Sequence, residues 1–166
     1  MKRTILVVSA LLMAACAGRP AAKPGSPAAG LTIAVLPFQN NTGDASLNAA
    51  GAAMADVVAT RLVGLRGIKL VERQRLAQIA AESRLAMAGL TDEATAAQVG
   101  KLAGADALAL GSYSGSGERF IVSLRVVKAQ TGEILASATE QGSGVSHLEK
   151  FAESAAKSVA AALTSR

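Results

Sequence analysis

Beyond residue 30 the apolar positions alternate between two periods, and each change of period marks a new element. Leu31, Ile33, Val35 and Leu36 are strand formers, Pro37 cannot continue a central ladder, and Asn40, Asn41, Gly43 and Asp44 predict a polar turn. From Asn48 to Leu65 the spacing is helical, with Met54, Val58, Leu62 and Leu65 near one face and Asp56, Thr60 and Arg61 off it. The small residues Ala49, Ala50, Gly51, Ala52 and Ala53 predict a helix that approaches its sheet closely, at the modest propensity cost of one glycine. Gly64 and Gly67 bracket its end, and Ile68, Leu70 and Val71 supply a second strand. Strand, helix, strand in this order predicts a right-handed βαβ unit with parallel strands.

A second helix is predicted from Val71 to Gly89, with Leu76, Ile79, Ala80 and Met87 on its apolar side. Thr91, Asp92, Glu93 and Ala94 offer a cap and an acidic first turn to a third helix, which runs through Leu102 and ends at Gly104. Ala105 to Ser112 is short and apolar, as a buried strand requires. Phe120 to Lys128 alternates, Gln130-Thr131-Gly132 makes a tight turn, and Glu133 to Thr139 follows, which predicts an antiparallel hairpin. Gly111 to Gly117, GSYSGSG, reads as the linker before that hairpin, and QGSGVSH as a short link after it. A last helical stripe holds Leu148, Phe151, Ala155, Val159 and Ala162. The expected fold class is α/β: one three-layer-like domain over residues 31–166, with a mixed sheet begun by the βαβ unit and finished by antiparallel strands, helices packed against it.

The N-terminus changes the address of that domain. Lys2 and Arg3 precede an apolar run from Ile5 to Met13 and the small residues Ala14 and Ala15, the layout of an export signal too short to span a bilayer. Two cleavage readings compete. Leu12-Met13-Ala14-Ala15-Cys16 resembles a lipoprotein box, which makes residues 1–15 the signal and Cys16 the lipidated first residue. Alternatively, Ala15-Cys16-Ala17 is a small-x-small site and the product is soluble. The lone cysteine at the end of the apolar run favours the first. Residues 16–30 then form a tether rich in Pro, Ala and Gly, about 40 Å long if fully extended.

Charge and chemistry narrow the function. Loss of Lys2 and Arg3 takes the formal charge from +5 to +3, and aromatic content is only 2%, so neither the field nor the stacking platforms of a nucleic-acid binder are present. GSYSGSG lacks the Gly-Lys-Ser/Thr ending of a phosphate loop. His147 is the single histidine and reads as a surface residue at a helix start, so no metal cluster, no cofactor site and no Cys/His dyad is expected. Asp44, Asp56, Glu72, Glu82 and Glu133 fall on different elements and identify no acid/base pair. Glu72 and Arg73 have two readings, a binding pair or a helix-start acid beside a solvated or ion-paired arginine. The end of a buried strand in an open α/β sheet is where ligands and partners bind, which makes Gln39, Asn40, Asn41, Thr42 and Asp44 the candidate partner or ligand loop.

Three stretches carry a family resemblance: IAVLPFQNNTGD; LVERQRLAQIAAESRLAMAGLTDEATAAQVGKLAGADALALGS; and VSLRVVKAQTGEILAS. Together they resemble the CsgG-like outer-membrane lipoproteins, whose founding members are curli secretion channels. The most specific pieces are Val71 to Arg73, Gly104 to Asp106 followed by LGS, and LRVV with TGEILAS. Similar pieces occur in FlgO-like lipoproteins, in penicillin-binding-protein activator lipoproteins and, more distantly, in the N-terminal domain of TolB. The resemblance implies a non-enzymatic assembly, secretion-accessory or scaffold protein, held to outer-membrane lipid through acylated Cys16 and facing the periplasm. Its implied partner is an envelope protein, with self-association into a homo-oligomer as a second mode. The channel members carry two long insertions that form membrane hairpins, and the corresponding links here are too short for strands of about nine to eleven residues. The pore is therefore not carried over. A second function class is a periplasmic small-ligand or peptidoglycan-binding module that uses the loop from Gln39 to Asp44.

Overall fold

The computed structural model of the protein describes residues 30–82 and 93–165. Its elements are β1 (Leu31–Val35), β2 (Gln39–Asn40), α1 (Asn48–Val63), β3 (Ile68–Leu70), α2 (Arg73–Glu82), α3 (Glu93–Leu102), β4 (Ala107–Ser116), β5 (Arg119–Lys128), β6 (Ile134–Ser143) and α4 (Leu148–Thr164). The sheet order is β3-β1-β4-β5-β6, and β2 pairs with β4 beyond the end of β1. β1 lies parallel to both β3 and β4, and β4, β5 and β6 are antiparallel neighbours. The fold is the mixed α/β sheet expected from the sequence. Pro37 interrupts β1, and Gln39 and Asn40 rejoin the sheet opposite Ser112 and Tyr113.

Helices cover the two faces of the sheet unequally. On one face Met54, Val58 and Leu62 of α1 and Leu148, Ala155 and Val159 of α4 pack on Ile33, Val122, Leu124 and Val126. These are the α1 and α4 positions that the helical spacing selects. On the other face Leu76, Ala80, Ala96 and Val99 of α2 and α3 cover Ala34, Leu36, Leu108 and Val127. The second cluster is smaller and stops short of the far ends of β4, β5 and β6. A solvent-facing sheet surface is left there, and it forms the candidate site.

Phe38 explains why α1 sits so close. Its backbone N–H donates to Gly51 O at 3.0 Å, and a Cβ on Gly51 would lie 2.3 Å from Phe38 O. Its ring lies over Gly111, where a Cβ would meet ring carbons at 2.3 to 2.5 Å. One buried phenylalanine is thus seated between glycines of α1 and β4, and both contacts need a residue without a side chain.

Two sequence expectations are corrected. The glycine-rich stretch from Gly111 is strand as far as Ser116, and the link to β5 is only Gly117 and Glu118, with Gly117 at φ 62°. Tyr113 supplies the reason: it is buried on the core face and its hydroxyl donates to Leu47 O at 2.6 Å, while Ser112 and Ser114 take the alternate positions on the other face. Likewise β6 continues four residues past Thr139 to Ser143, because β5 offers a partner as far as Arg119. Gly144 at φ 92° then turns the chain into a 3-10 turn, Val145–His147, ahead of α4. Neither extension shows an apolar alternation, the first holding Tyr113 among serines and a glycine and the second only Glu140, Gln141, Gly142 and Ser143. Met87, Gly89, Thr91 and Asp92 lie outside the described residues.

Candidate functional site

The uncovered end of the sheet forms an open groove of about 500 Å3. Residues directly opposite in an antiparallel ladder share a face, so the register builds the floor in rows. One row is Leu110, Arg125 and Ser137; the next is Ser112, Ser123 and Thr139. Ser123 Oγ and Thr139 Oγ1 are 3.2 Å apart in a hydrogen bond. Pro37, Gln39 and Asn41 line one side of the groove and Ile134 the other.

The candidate loop divides into two sets of residues. Asn40 turns inward: its Nδ2 donates to Asp44 O and to Asn48 Oδ1, each at 2.8 Å, and its Oδ1 accepts from Thr42 N at 3.0 Å and Thr42 Oγ1 at 2.7 Å. Thr42 Oγ1 accepts from Asp44 N at 3.1 Å. Asp44 Oδ1 accepts from Ser46 N at 2.9 Å and Ser46 Oγ at 2.7 Å, capping the 3-10 turn before α1. Ser46, first through its hydroxyl and then its N–H, holds the Asp44 carboxyl below its usual range. Asn40, Thr42 and Asp44 thus brace the loop, and their polar atoms are turned to one another. Gln39 and Asn41 reach the groove instead, and Asn41 N–H fixes the loop to Tyr113 O at 2.8 Å.

The lining offers hydroxyls, side-chain amides and the Arg125 guanidinium, and it includes no His, Cys, Asp or Glu. Such a surface suits hydrogen bonding to a polar or acidic ligand, with no general base beside its hydroxyls. His147 is far from this chemistry: its Nδ1 is 2.9 Å from Ser143 O and its ring meets Phe151 edge-on at 6.3 Å. Among the described residues no three His, Cys, Asp or Glu side chains gather as a metal ion would require.

Two motifs singled out by the sequence, VER and GAD, hold structural contacts. Arg73 Nη1 reaches both Asp56 oxygens at 3.0 and 2.9 Å, tying the start of α2 to α1 in the ion-paired reading of that residue. Asp106 bonds twice to Thr32, its Oδ2 accepting from Thr32 N at 2.9 Å and its N–H donating to Thr32 O at 2.8 Å. Sequence reasoning assigned Asp106 no task, and only its place in the GAD motif singled it out. The floor residues Ser112, Ser123, Arg125, Ser137 and Thr139 were missed altogether. Alternation puts Ser123 and Arg125 on one face, but only the register brings the three strands together.

The family model described as curli production assembly/transport component CsgG matches residues 19–119. Among solved structures, the LpoB C-terminal domain from Salmonella enterica is 20% identical with a TM-score of 0.58, over 70% of this chain and 84% of that one. Lipoprotein GNA1162 from Neisseria meningitidis is 16% identical with a TM-score of 0.57, over 68% and 80%. A dodecamer of a PelC point variant from Paraburkholderia phytofirmans is 18% identical with a TM-score of 0.53, over 88% and 96%. No curated protein matches the sequence significantly. At these identities the structures speak for the fold.

Proposed function

The chain belongs to the CsgG family of curli production assembly/transport components, and from that membership we propose a lipid-anchored, periplasm-facing accessory protein of the outer membrane that works by docking and without catalysis. Residues 1–15 are its signal, residues 16–30 its lipidated tether and residues 31–166 its docking domain. The observation that carries this reading is Cys16, the single cysteine, at the end of an apolar export segment. The fold shared with a protein named as a lipoprotein, GNA1162, supports it. The PelC dodecamer supports self-association as a second mode. Secretion through a pore of its own is not part of the proposal: β4 and β5 are joined by Gly117 and Glu118 alone, and β6 leads to α4 through Gly144 and a 3-10 turn. Neither link holds a spanning hairpin. Among the described residues no helix is long and apolar enough to cross a membrane.

Acyl chains contribute about 0.8 kcal/mol per buried methylene, and two or more make such anchoring stable. Cys16→Ser is therefore expected to abolish both palmitate labelling and recovery in the membrane fraction. Labelling and membrane association that persist in the variant would reject the anchor.

The groove favours one other reading, a binding module for a small polar ligand or a peptidoglycan fragment, held by Gln39, Asn41 and Arg125. Under this reading, muropeptides raise the melting temperature of the protein with concentration, by about 2.7 kcal/mol of stabilisation at a hundredfold excess over Kd. A flat thermal-shift profile up to millimolar ligand leaves docking as the function.

A further inference from the structure

We propose that the outer edge of β6 pairs with the same edge of a second copy of this chain, antiparallel about a two-fold axis through Thr139. The proposal rests on the self-association reading above and assigns its surface. Of the two sheet edges, β3 is three residues long and presents exposed Lys69, both features that discourage pairing. β6 is ten residues long and carries no proline, no lysine or arginine, and a single charge at Glu140. Its one irregularity comes early: Val126 faces Ala136 and Val127 faces Ile134, leaving Leu135 as an extra residue. From Ala136 to Ser143 the ladder to β5 is regular.

The direction of each backbone group follows from two bonds at the ends of this ladder. Lys128 N–H donates to Glu133 O at 2.8 Å, and Gly144 N–H donates to Glu118 O at 2.7 Å. The even-numbered residues of β5 therefore face β6, and their partners Ala136, Ala138, Glu140 and Gly142 turn their N–H and C=O groups inward. Ser137, Thr139 and Gln141 turn theirs outward, and no described backbone group bonds to them.

Strand length and charge select the occupant. Pairing β6 with β3 of a neighbour would leave most of β6 bare, since β3 offers three residues. Two β6 edges match in length, and an axis at Thr139 puts Thr139 opposite its own copy and Ser137 opposite Gln141. Each of these pairs then exchanges both of its N–H···O bonds. In this register Glu140 faces Ala138. Moving the axis one residue, to Glu140, would set two carboxylates opposite each other, which is unfavourable. The contact is isologous and closes on itself as a dimer, so any larger assembly needs a second interface.

The full chain extracted in detergent is expected to sediment with a doubled protein mass. Thr139→Pro and Gln141→Pro each remove an outward N–H without removing a bond to β5, and each is expected to return the protein to the monomer with its thermal transition intact. Thr139→Cys covers the case in which the proline variants do not fold: a short bismaleimide is expected to link it into dimers, while Lys101→Cys, at an exposed position of α3, and the parent chain give none. A monomeric parent chain would overturn the edge and the self-association reading together. An oligomer that survives both proline substitutions, with no Thr139→Cys cross-link, would overturn the edge alone.

Discussion

Gly51→Ala destabilises the domain, although helix propensity alone predicts the opposite sign. Alanine in the interior of α1 is worth about 1 kcal/mol over glycine in an exposed helix. Against that gain, the new Cβ would stand 2.3 Å from the backbone oxygen of Phe38, 3.3 Å from its carbonyl carbon and 3.4 Å from its nitrogen. Backbone cannot rotate aside as the tip of a side chain can. The hydrogen bond from Phe38 N to Gly51 O, together with the seat of the Phe38 ring over Gly111, opposes any lift of the helix. Overpacking of this kind costs about 1–3 kcal/mol, and a backbone contact belongs at the upper end. A net loss of about 2 kcal/mol is expected, read as a fall in Tm of roughly 5 to 10 °C. Gly64→Ala at the C-cap of the same helix is the control, since φ there is −79° and nothing lies within 4 Å of the added Cβ. Its Tm should be unchanged or slightly higher. A Gly51→Ala variant as stable as the parent would show that α1 can move off β1.

Phe38→Ala is expected to have the largest effect on stability, about 3–5 kcal/mol, as for other buried phenylalanines. The ring is 2% exposed and belongs to the cluster shared by α1, α4 and the sheet. Its removal opens a cavity that Gly111 has no side chain to fill. Gly111→Ala alone also destabilises, because the added methyl strikes the ring, but in the Phe38→Ala background the same methyl enters the cavity. Residues in contact couple by about 0.5–3 kcal/mol, so the double variant should be more stable than the sum of the single losses predicts. Urea titration of the four proteins measures this coupling. Strict additivity would mean that the ring and Gly111 do not meet.

Both predictions bear on pieces of sequence that first suggested the family. PF, between β1 and β2, and LGS in β4 belong to one contact, the ring of Phe38 over Gly111. The arginine of VER is engaged with Asp56, in keeping with the ion-paired reading of that residue. The aspartate of GAD secures the start of β1 through Thr32. These residues identify the fold because each closes a contact between elements distant in sequence. No residue of VER or GAD lines the groove, whereas Pro37, LGS and, within LRVV and TGEILAS, Leu124, Arg125, Ile134 and Ser137 do.

A similar division runs through α1 and α4. Arg61 of α1 and Lys157 of α4 both pair with Glu153, and Lys157 first, then Arg61, holds its carboxyl below the usual glutamate range. A depressed carboxylate contributes stability above its unfolded pKa and loses that contribution as pH falls through the folded value. Glu153 keeps its contact with solvent, so this brace is weak at neutral pH and vanishes in acid. The hold of α4 on the sheet comes from Leu148, Ala155 and Val159, which the helical spacing had already selected.

Local periodicity determined α1 and α4 with their buried faces, the βαβ order and the β5–β6 hairpin, because period follows from backbone geometry and needs no knowledge of neighbours. The reading of an export segment that ends at Cys16 likewise rests on linear signals alone. Tertiary structure alone decided that Gln39 and Asn41 meet the groove while Asn40, Thr42 and Asp44 brace their own loop. It also extended β4 through Tyr113 to Ser116 and β6 through Glu140 to Ser143, stretches with no apolar rhythm. The reason in each case is register: a strand of small polar residues is held by its partner's backbone, and a loop side chain faces in or out according to which distant donors come within reach.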